Sequence, residues 1–183
     1  MGGSIDMRSI VTIALGVLLA GGAASAARGV TVSIVPADTT VTVGDTLSLR
    51  VVCTDFPDLK GFELVHAFDP VRLASLAVQP GDLLTGIGRA YVAYSLPDVS
   101  VPADSTWLDA AVLDGSTAGP GVLEYLVFKA LGVGSASIEC LDVLFRDSSN
   151  ASTVPACTGA MVRITTATPV RRASWGSLKS VYR

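Results

Sequence analysis

Apolar and polar residues alternate with a period of two along most of the chain, as in β-strands that bury one face. In segment 47–53, Leu47, Leu49, Val51 and Cys53 share one parity, so Cys53 is expected to point inward. Turn signals rich in Gly, Pro and Asp separate such segments. The pattern predicts strands over residues 30–35, 47–53, 62–68, 73–78, 88–96, 107–113, 122–130, 137–146 and 159–165.

In two segments the alternation of apolar and polar residues does not by itself identify the structure. Residues 122–130 are long enough for a helix, but their apolar positions form no helical face, and Val, Tyr and Phe favour strands. Residues 137–146 change parity near Cys140-Leu141, which predicts a β-bulge. About nine short strands without a convincing helix predict an all-β fold, an antiparallel β-sandwich.

The first 26 residues have the pattern of a secretory signal peptide. Arg8 supplies a positive start, residues 10–19 form an apolar run, and Ala24-Ser25-Ala26 offers small residues for cleavage after Ala26. The alternative is an uncleaved anchor, but the run is shorter than the roughly 20 residues that cross a bilayer. We therefore expect a secreted or cell-surface protein, with no membrane span once the leader is removed.

Residues 167–183 differ from the rest of the chain. They read as a basic linker and a short amphipathic tail, with Trp175, Leu178 and Tyr182 spaced for one side of a helical turn. Four basic residues and no acid lie in this tail, so residues 27–166, the expected single domain, are more acidic than the overall charge of −3 suggests. Such a domain lacks the basic surface that binding to nucleic acid requires.

The sequence supports no catalytic or metal site. The single histidine, His66, falls among inward positions and is expected to be a core residue, and no nucleophile motif or phosphate-binding loop is present. Asp104, Asp109 and Asp114 match neither a calcium loop nor a convincing carboxylate pair of a glycosidase. We therefore expect neither an enzyme nor a cofactor.

Three cysteines allow one disulfide bond in an oxidising compartment and leave one thiol. The residues alone leave the pairing open among Cys53, Cys140 and Cys157. Their long spacings and the single histidine argue against a zinc site.

Five short motifs occur in a suggestive order between residues 30 and 165. They are Val43-Gly44-Asp45, Gly61-Phe62-Glu63-Leu64, Phe68-Asp69-Pro70, Pro80-Gly81-Asp82-Leu83-Leu84 and Gly119-Pro120-Gly121-Val122-Leu123. Together they resemble cohesin domains, the secreted β-sandwich modules with which bacteria capture dockerin modules. One departure is Gly61, because many cohesins carry a polar contact residue there.

The resemblance implies a nine-stranded, jelly-roll-like sandwich with sheets ordered 8-3-6-5 and 9-1-2-7-4. It also implies that a partner docks on the outer face of the 8-3-6-5 sheet. The docking residues carried over to the third, fifth and sixth strands are Glu63, Val65, Ala67, Tyr91, Ala93, Trp107 and Asp109. Alternatively, Trp107 or Tyr91 is a core or rim residue. The implied topology favours a disulfide that uses Cys53, with either Cys157 or Cys140.

The leading hypothesis is a secreted, non-catalytic, cohesin-like module that binds a dockerin-like protein. A carbohydrate-binding module is an alternative, since Tyr91, Tyr94 and Trp107 could stack on the sugar rings of a polysaccharide. A third hypothesis is a structural subunit of the cell envelope whose C-terminal tail is a sorting or docking tag.

Overall fold

The computed structural model describes residues 29–96 and 103–166. The predicted signal peptide and the predicted tail from residue 167 lie outside these residues. The strands are β1 (Thr31–Val35), β2 (Asp38–Thr42), β3 (Thr46–Cys53), β4 (Gly61–Phe68), β5 (Leu73–Pro80), β6 (Tyr91–Leu96), β7 (Ser105–Val112), β8 (Gly121–Ala130), β9 (Gly134–Arg146), β10 (Ser152–Thr153), β11 (Ala156–Thr158) and β12 (Ala160–Thr165). A four-residue helix, α1 (Asp82–Thr85), follows β5.

The strands form two sheets, which confirms the predicted all-β sandwich. The β8 sheet has the order β11-β1-β3-β8-β5, and the β4 sheet has the order β2-β12-β9-β4-β7-β6, with β10 paired to β9. In the numbering of the nine expected strands, these orders contain 1-2-7-4 and 8-3-6-5, as the resemblance implies. The expected ninth strand, residues 159–165, is the exception: it forms β12 beside β9 in the β4 sheet, and β11 occupies the place beside β1.

Twelve strands are described instead of nine, because β2, β10 and β11 lie outside the nine segments predicted from the sequence. β1 and β11 pair in parallel in the β8 sheet, while β2 and β12 pair in parallel in the β4 sheet. The chain changes sheets at Pro36, which has no N–H to donate to a ladder, and at Gly159, where a side chain would meet the Ile138 carbonyl. The remaining strand pairs are antiparallel.

The apolar inner faces of the two sheets pack against each other and form the core. Phe68 on β4 contacts Phe128 on β8, with ring centroids 5.1 Å apart, and this pair joins the middle of the two sheets. Phe145 on β9 contacts Phe56 with an edge-to-face geometry at 5.3 Å. These aromatic contacts add to the burial of aliphatic side chains, which is the main source of the domain's stability.

The predicted bulge in β9 is confirmed. Val65 of β4 is opposite Asp142, and His66 is opposite Cys140, so Leu141 has no partner across the ladder. The extra residue shifts the alternation by one, and both Ile138 before the bulge and Val143 after it are buried. The bulge therefore keeps apolar residues inside along the whole of a 13-residue strand.

His66 lies in the core, as predicted, but the sequence did not reveal its neighbour. Glu124, on the inner face of β8, approaches it from the opposite sheet, with 3.1 Å between His66 Nδ1 and Glu124 Oε1. Both side chains are fully buried. A histidine and a carboxyl group therefore meet between two otherwise apolar sheet faces.

The prediction of a disulfide bond that uses Cys53 was wrong. Cys140 on β9 bonds to Cys157 on β11, which links the two sheets, and Cys53 is a buried thiol. Val32 of β1 pairs with Cys53 on one side and with Cys157 on the other. An intervening strand separates these cysteines by two strand spacings, about 10 Å, which is too far for a disulfide bond.

α1 lies in the segment that was predicted as a Pro-Gly-Asp turn. Its first residue, Asp82, accepts a hydrogen bond from the backbone N–H of Val122 at 2.7 Å, which ties the helix to β8. In residues 29–96 and 103–166 no helix has the length and apolar character needed to cross a membrane.

We expect the Cys140–Cys157 bond to stabilise the domain, because it closes a loop across a sequence separation of 17 residues. Reduction, or the double substitution Cys140→Ala/Cys157→Ala, should lower the free energy of unfolding by about 3 kcal/mol, measured by urea denaturation. Cys53→Ala is the control, and it should respond to the reductant as the wild-type protein does. An unfolding midpoint unaffected by reduction would contradict the pairing.

Candidate functional site

The outer face of the β4 sheet brings together most of the predicted site residues. Glu63, Val65 and Ala67 point outward from β4, while Trp107 and Asp109 point outward from the neighbouring β7. Glu63 is directly opposite Asp109, and Val65 is directly opposite Trp107. We call this surface, with the outward residues of β6 and β9, the outer face.

The predicted placement of Tyr91 and Ala93 on this face was wrong. Tyr91 is opposite Val112, and Ala93 is opposite Ala110. Val112 and Ala110 are buried in the core, and residues opposite each other in an antiparallel pair lie on the same side of the sheet. Tyr91 and Ala93 accordingly pack against the core.

Val92 and Tyr94 are the outward residues of β6. Tyr94 lies opposite Asp109 and is 61% exposed. The alternation in β6 correctly separated two sets of residues, but both sets contain a tyrosine and a small apolar residue. Composition therefore did not show which set faces the core. The register between β6 and β7 shows that Tyr91 and Ala93 do.

The outward residues of β9 were missed by the sequence analysis, which considered only the third, fifth and sixth strands. Leu144 is opposite Glu63, and Arg146 is opposite Gly61. Leu141, in the bulge, is 60% exposed on the same side. The change of parity near Cys140-Leu141 was a usable signal, because a bulged residue in a half-buried strand is often turned towards solvent.

A hydrogen bond holds the indole of Trp107 in place. Its Nε1–H donates to Glu63 Oε1 at 3.0 Å, between neighbouring strands. The ring is half-buried and keeps apolar surface at the centre of the outer face. Trp107 is therefore not a core residue, which was the alternative interpretation for this side chain.

Two carboxylates lie side by side at the middle of the outer face. Partial burial raises the pKa of Asp109, and the negative charge of Glu63 raises it further. Arg146 opposes these effects, but it forms no ion pair with either acid in the described part of the chain. Like charges directly opposite each other in a sheet are destabilising. This local pair therefore costs stability in the isolated domain.

The outer face is not flat at its end near Gly61. A depression of about 340 Å³ lies there, and Gly61, which has no side chain, is one of its lining residues. Its outer-face lining consists of Gly61, Glu63, Asp109, Ala111, Leu144 and Arg146. A Cβ atom at Gly61 would lie only 3.1 Å from the Ala110 carbonyl oxygen, so a larger residue fits poorly there. The glycine at this position therefore affects the shape of the outer face at this end.

The three aspartates considered for catalysis or calcium binding do not converge. Asp104 and Asp114 flank opposite ends of β7, about 30 Å apart along an extended chain, with Asp109 between them. Carboxylate pairs of glycosidases are separated by roughly 5–10 Å. Among the described residues, no group of three or more His, Cys, Asp or Glu side chains could hold a metal ion.

Solved structures with a similar fold exist. A non-cellulosomal cohesin from Archaeoglobus fulgidus is 16% identical, with a TM-score of 0.60, over 75% of this chain and 92% of that one. The seventh ScaB type I cohesin from Pseudobacteroides cellulosolvens is 14% identical, with a TM-score of 0.63, over 80% and 98%. The fold is that of a cohesin module.

A third structure with this fold was solved in a complex. It is the OlpA cohesin in a type I cohesin–dockerin complex from Clostridium thermocellum, at 13% identity and a TM-score of 0.61, over 75% of this chain and 99% of that one. No protein-family model and no curated protein matches the chain at a significant level. At these identities the similarity establishes the cohesin fold and leaves the partner to be argued from the outer face.

The two tyrosines of β6 provide a test of which side of the strand faces the core. Tyr91→Ala should lower the free energy of unfolding by about 2 kcal/mol, because it removes side-chain contacts with the core. Tyr94→Ala, the matched control, should change it by less than about 0.5 kcal/mol. Urea denaturation of both variants measures the difference, and equal losses would contradict the assigned facing of β6.

The carboxylate pair should be visible by titration. Glu63→Gln removes a negative charge beside Asp109, so the pKa of Asp109 should fall towards its usual value. Carbon-13 NMR of the Asp109 carboxyl group across pH 2–7 measures this change. Glu139→Gln, an exposed substitution elsewhere on β9, should leave the Asp109 titration unchanged.

Proposed function

We propose that this protein is a non-catalytic binding module whose outer face docks an extracellular protein of the dockerin kind. The cohesin fold supports this proposal, since several solved structures with that fold are complexes of a cohesin with a dockerin. The decisive observation on this chain is a preformed sheet surface that combines a fixed Trp107 with exposed apolar side chains.

The composition of the outer face favours a protein partner. Val65, Ala67 and Trp107 supply half-buried apolar surface across β4 and β7, while Tyr94 and Leu141 are more than half exposed. No other described element covers these residues. Contiguous exposed apolar surface beside polar groups is typical of a surface that binds another protein.

Trp107 and Val65 are the proposed anchors. They lie opposite each other on the two central strands, and Trp107 is already oriented by Glu63. A side chain that is fixed before binding loses little conformational entropy, so it contributes efficiently to affinity. Glu63 and Asp109, together with Asp142 opposite Val65, give this region negative charge and would favour a partner with a basic patch.

The proposed contact set differs from the one expected from the sequence at β6 and β9. Tyr91 and Ala93 leave it, because they face the core. The revised set on the outer face is Glu63, Val65, Ala67, Val92, Tyr94, Trp107, Asp109, Leu141 and Leu144.

We also propose that the protein acts outside the cytoplasm, as a secreted or cell-surface module. The predicted signal peptide of residues 1–26 supports this location. The Cys140–Cys157 bond supports it independently, because disulfide bonds persist in oxidising compartments.

A carbohydrate ligand is the second candidate. Tyr94 on β6 and Trp107 on β7 lie on the same face and on neighbouring strands, so both could contact one glycan chain. Tyr91, the third aromatic residue of that hypothesis, lies on the opposite side of the sheet. Two aromatic residues on one face still make this ligand class worth including in the test.

The test is isothermal titration calorimetry with purified dockerin modules from the same genome, and with a panel of soluble polysaccharides in parallel. We expect a dockerin to bind, and Val65→Arg to weaken its binding at least 30-fold, because a charge then has to be buried at the centre of the interface.

Ser48→Arg is the matched control, since Ser48 is exposed on the outer side of β3 in the other sheet. It should bind as the wild-type protein does. Equal binding by Val65→Arg and the wild-type protein would exclude the outer face, and binding to polysaccharides alone would establish the second candidate.

The third hypothesis, an envelope subunit with a C-terminal tag, concerns residues outside the described structure. Deletion of residues 171–183 should mislocalise the protein if the tail is a sorting tag. Unchanged localisation of the shortened protein, detected by fractionation and immunoblotting, would contradict that role.

A further inference from the structure

The pair formed by His66 and Glu124 is isolated from all other charges. His66 is flanked by Thr106 on β7 and Cys140 on β9, its partners across the ladder. Glu124 is flanked by Val51 on β3 and Pro80 on β5. None of these four neighbours is charged, and Cys140 is held in the disulfide bond. Each member of the pair therefore has only the other as a charged or titratable partner facing it.

The geometry brings the two titratable groups into direct contact in a dry interior. Nδ1 of His66 and Oε1 of Glu124 are 3.1 Å apart, and the two side chains are 0% and 1% exposed. None of the four polar side-chain atoms of the pair has hydrogen-bond geometry to any described residue, so the close approach of Nδ1 and Oε1 is the one polar contact that the pair makes there. Any net charge on this pair would lack both solvent and a counter-ion.

Burial acts on the two groups in opposite directions. It lowers the pKa of His66 to about 4 and raises the pKa of Glu124 well above its usual value. With two protons the pair would be a buried cation, and with none it would be a buried anion. With one proton it is either two neutral groups or an internal ion pair, so the net charge is zero in both arrangements.

We propose that His66 and Glu124 share a single proton in the folded domain and thereby couple folding of the sandwich to pH. The pair binds one titratable proton, which lies either on the carboxyl group, leaving both groups neutral, or on the imidazole, giving an ion pair. Because the two groups interact strongly, protonation is a property of the pair and not of either residue alone. This inference does not depend on the proposed docking function.

The sign of the pH dependence follows from counting protons. In the unfolded chain, glutamate titrates near pH 4.5 and histidine near pH 6.5, so the two groups hold two protons below about pH 4.5, one in between, and none above about pH 6.5. The folded pair holds one proton from the pKa of His66, about 4, up to the raised pKa of Glu124. Folding therefore takes up a proton above pH 6.5 and releases one between about pH 4.5 and pH 4.

Stability should be greatest between these two values. Above pH 6.5 the contribution of Glu124, whose pKa is raised by folding, is lost as pH increases. Below pH 4.5 the contribution of His66, whose pKa is lowered by folding, is lost as pH decreases. In each range the pair changes the equilibrium constant of unfolding by up to tenfold per pH unit.

The pair lies at a contact between the two sheets, so a change in its charge would act on their packing. His66 lies between Val65 and Ala67 on β4, and these two neighbours point to the outer face. Glu124 lies on β8, which pairs with both β3 and β5 in the opposite sheet. Loss of the shared proton would therefore introduce a charge between the packed inner faces of the two sheets.

The test compares urea unfolding of the full chain at several values between pH 6.5 and 8.0, a range below the titration of the Cys53 thiol, whose pKa is raised by burial. The wild-type equilibrium constant of unfolding should rise by about 15-fold over this range, because the unfolded histidine is already half deprotonated at pH 6.5. The double variant His66→Leu/Glu124→Leu should lose this rise.

Thr106→Val is the matched control, because it replaces the buried neighbour of His66 by an uncharged group of similar shape. It should keep the wild-type slope whatever its effect on stability. Equal slopes for the wild-type protein and the double variant would overturn the proposal.

NMR of the wild-type protein tests the proposal even if the double variant does not fold. At pH 7.5, nitrogen-15 shifts of His66 and the carbon-13 carboxyl shift of Glu124 should together account for one proton. A neutral imidazole beside an ionised carboxylate would overturn the proposal.

Discussion

The packing of the two sheets through their inner faces is the constraint on which the rest of the structure depends. On β4 this packing has a direct functional consequence, because core residues and outward residues occupy consecutive positions. Phe62, Leu64 and Phe68 are buried, and the residues between them form the middle of the outer face. The core therefore holds the proposed docking surface in place, because the buried and the outward residues of β4 belong to one strand and cannot shift independently.

Irregularities in the strands serve this packing. The bulge at Leu141 corrects the alternation of β9, so that apolar side chains remain inside on both sides of it. It also turns Leu141 itself towards the outer face. The chain changes sheets at Pro36 and at Gly159, and the disulfide bond from Cys140 to Cys157 closes the sandwich beside that crossing. A regular nine-stranded pattern would provide none of these connections.

Two pairs of titratable side chains lower the stability of the domain, one on the outer face and one in the core. The means by which their unfavourable charge is reduced differ. The Glu63–Asp109 pair on the outer face places like charges together, but solvent and a basic partner can relieve their repulsion. The His66–Glu124 pair lies in the core, where only a shared proton can balance the charge. A surface pair of this kind favours recognition by a partner of opposite charge, whereas an interior pair links folding to the pH of the surroundings.

Local patterns in the sequence were enough to predict the elements and, for most strands, the inward set of residues. The alternation in β3, β4 and β7 identified the outward residues correctly, and the change of parity identified the bulge in β9. These features depend on side chains a few positions apart, which the alternation of polar and apolar residues records directly. The five motifs resembling cohesins supplied the order of all the expected strands but the ninth, which local patterns alone do not contain.

Other features depend on residues that are distant in the sequence, and only the tertiary structure decided them. The facing of Tyr91 on β6 is set by its register with β7, the partner of Cys140 is set by the position of β1 between Cys53 and Cys157, and the neighbour of His66 comes from the opposite sheet. The sequence by itself determined an all-β chain with a defined alternation of faces. The physical reason for this division is that alternation is a local property, whereas register, disulfide pairing and contacts across the core arise only when the two sheets assemble.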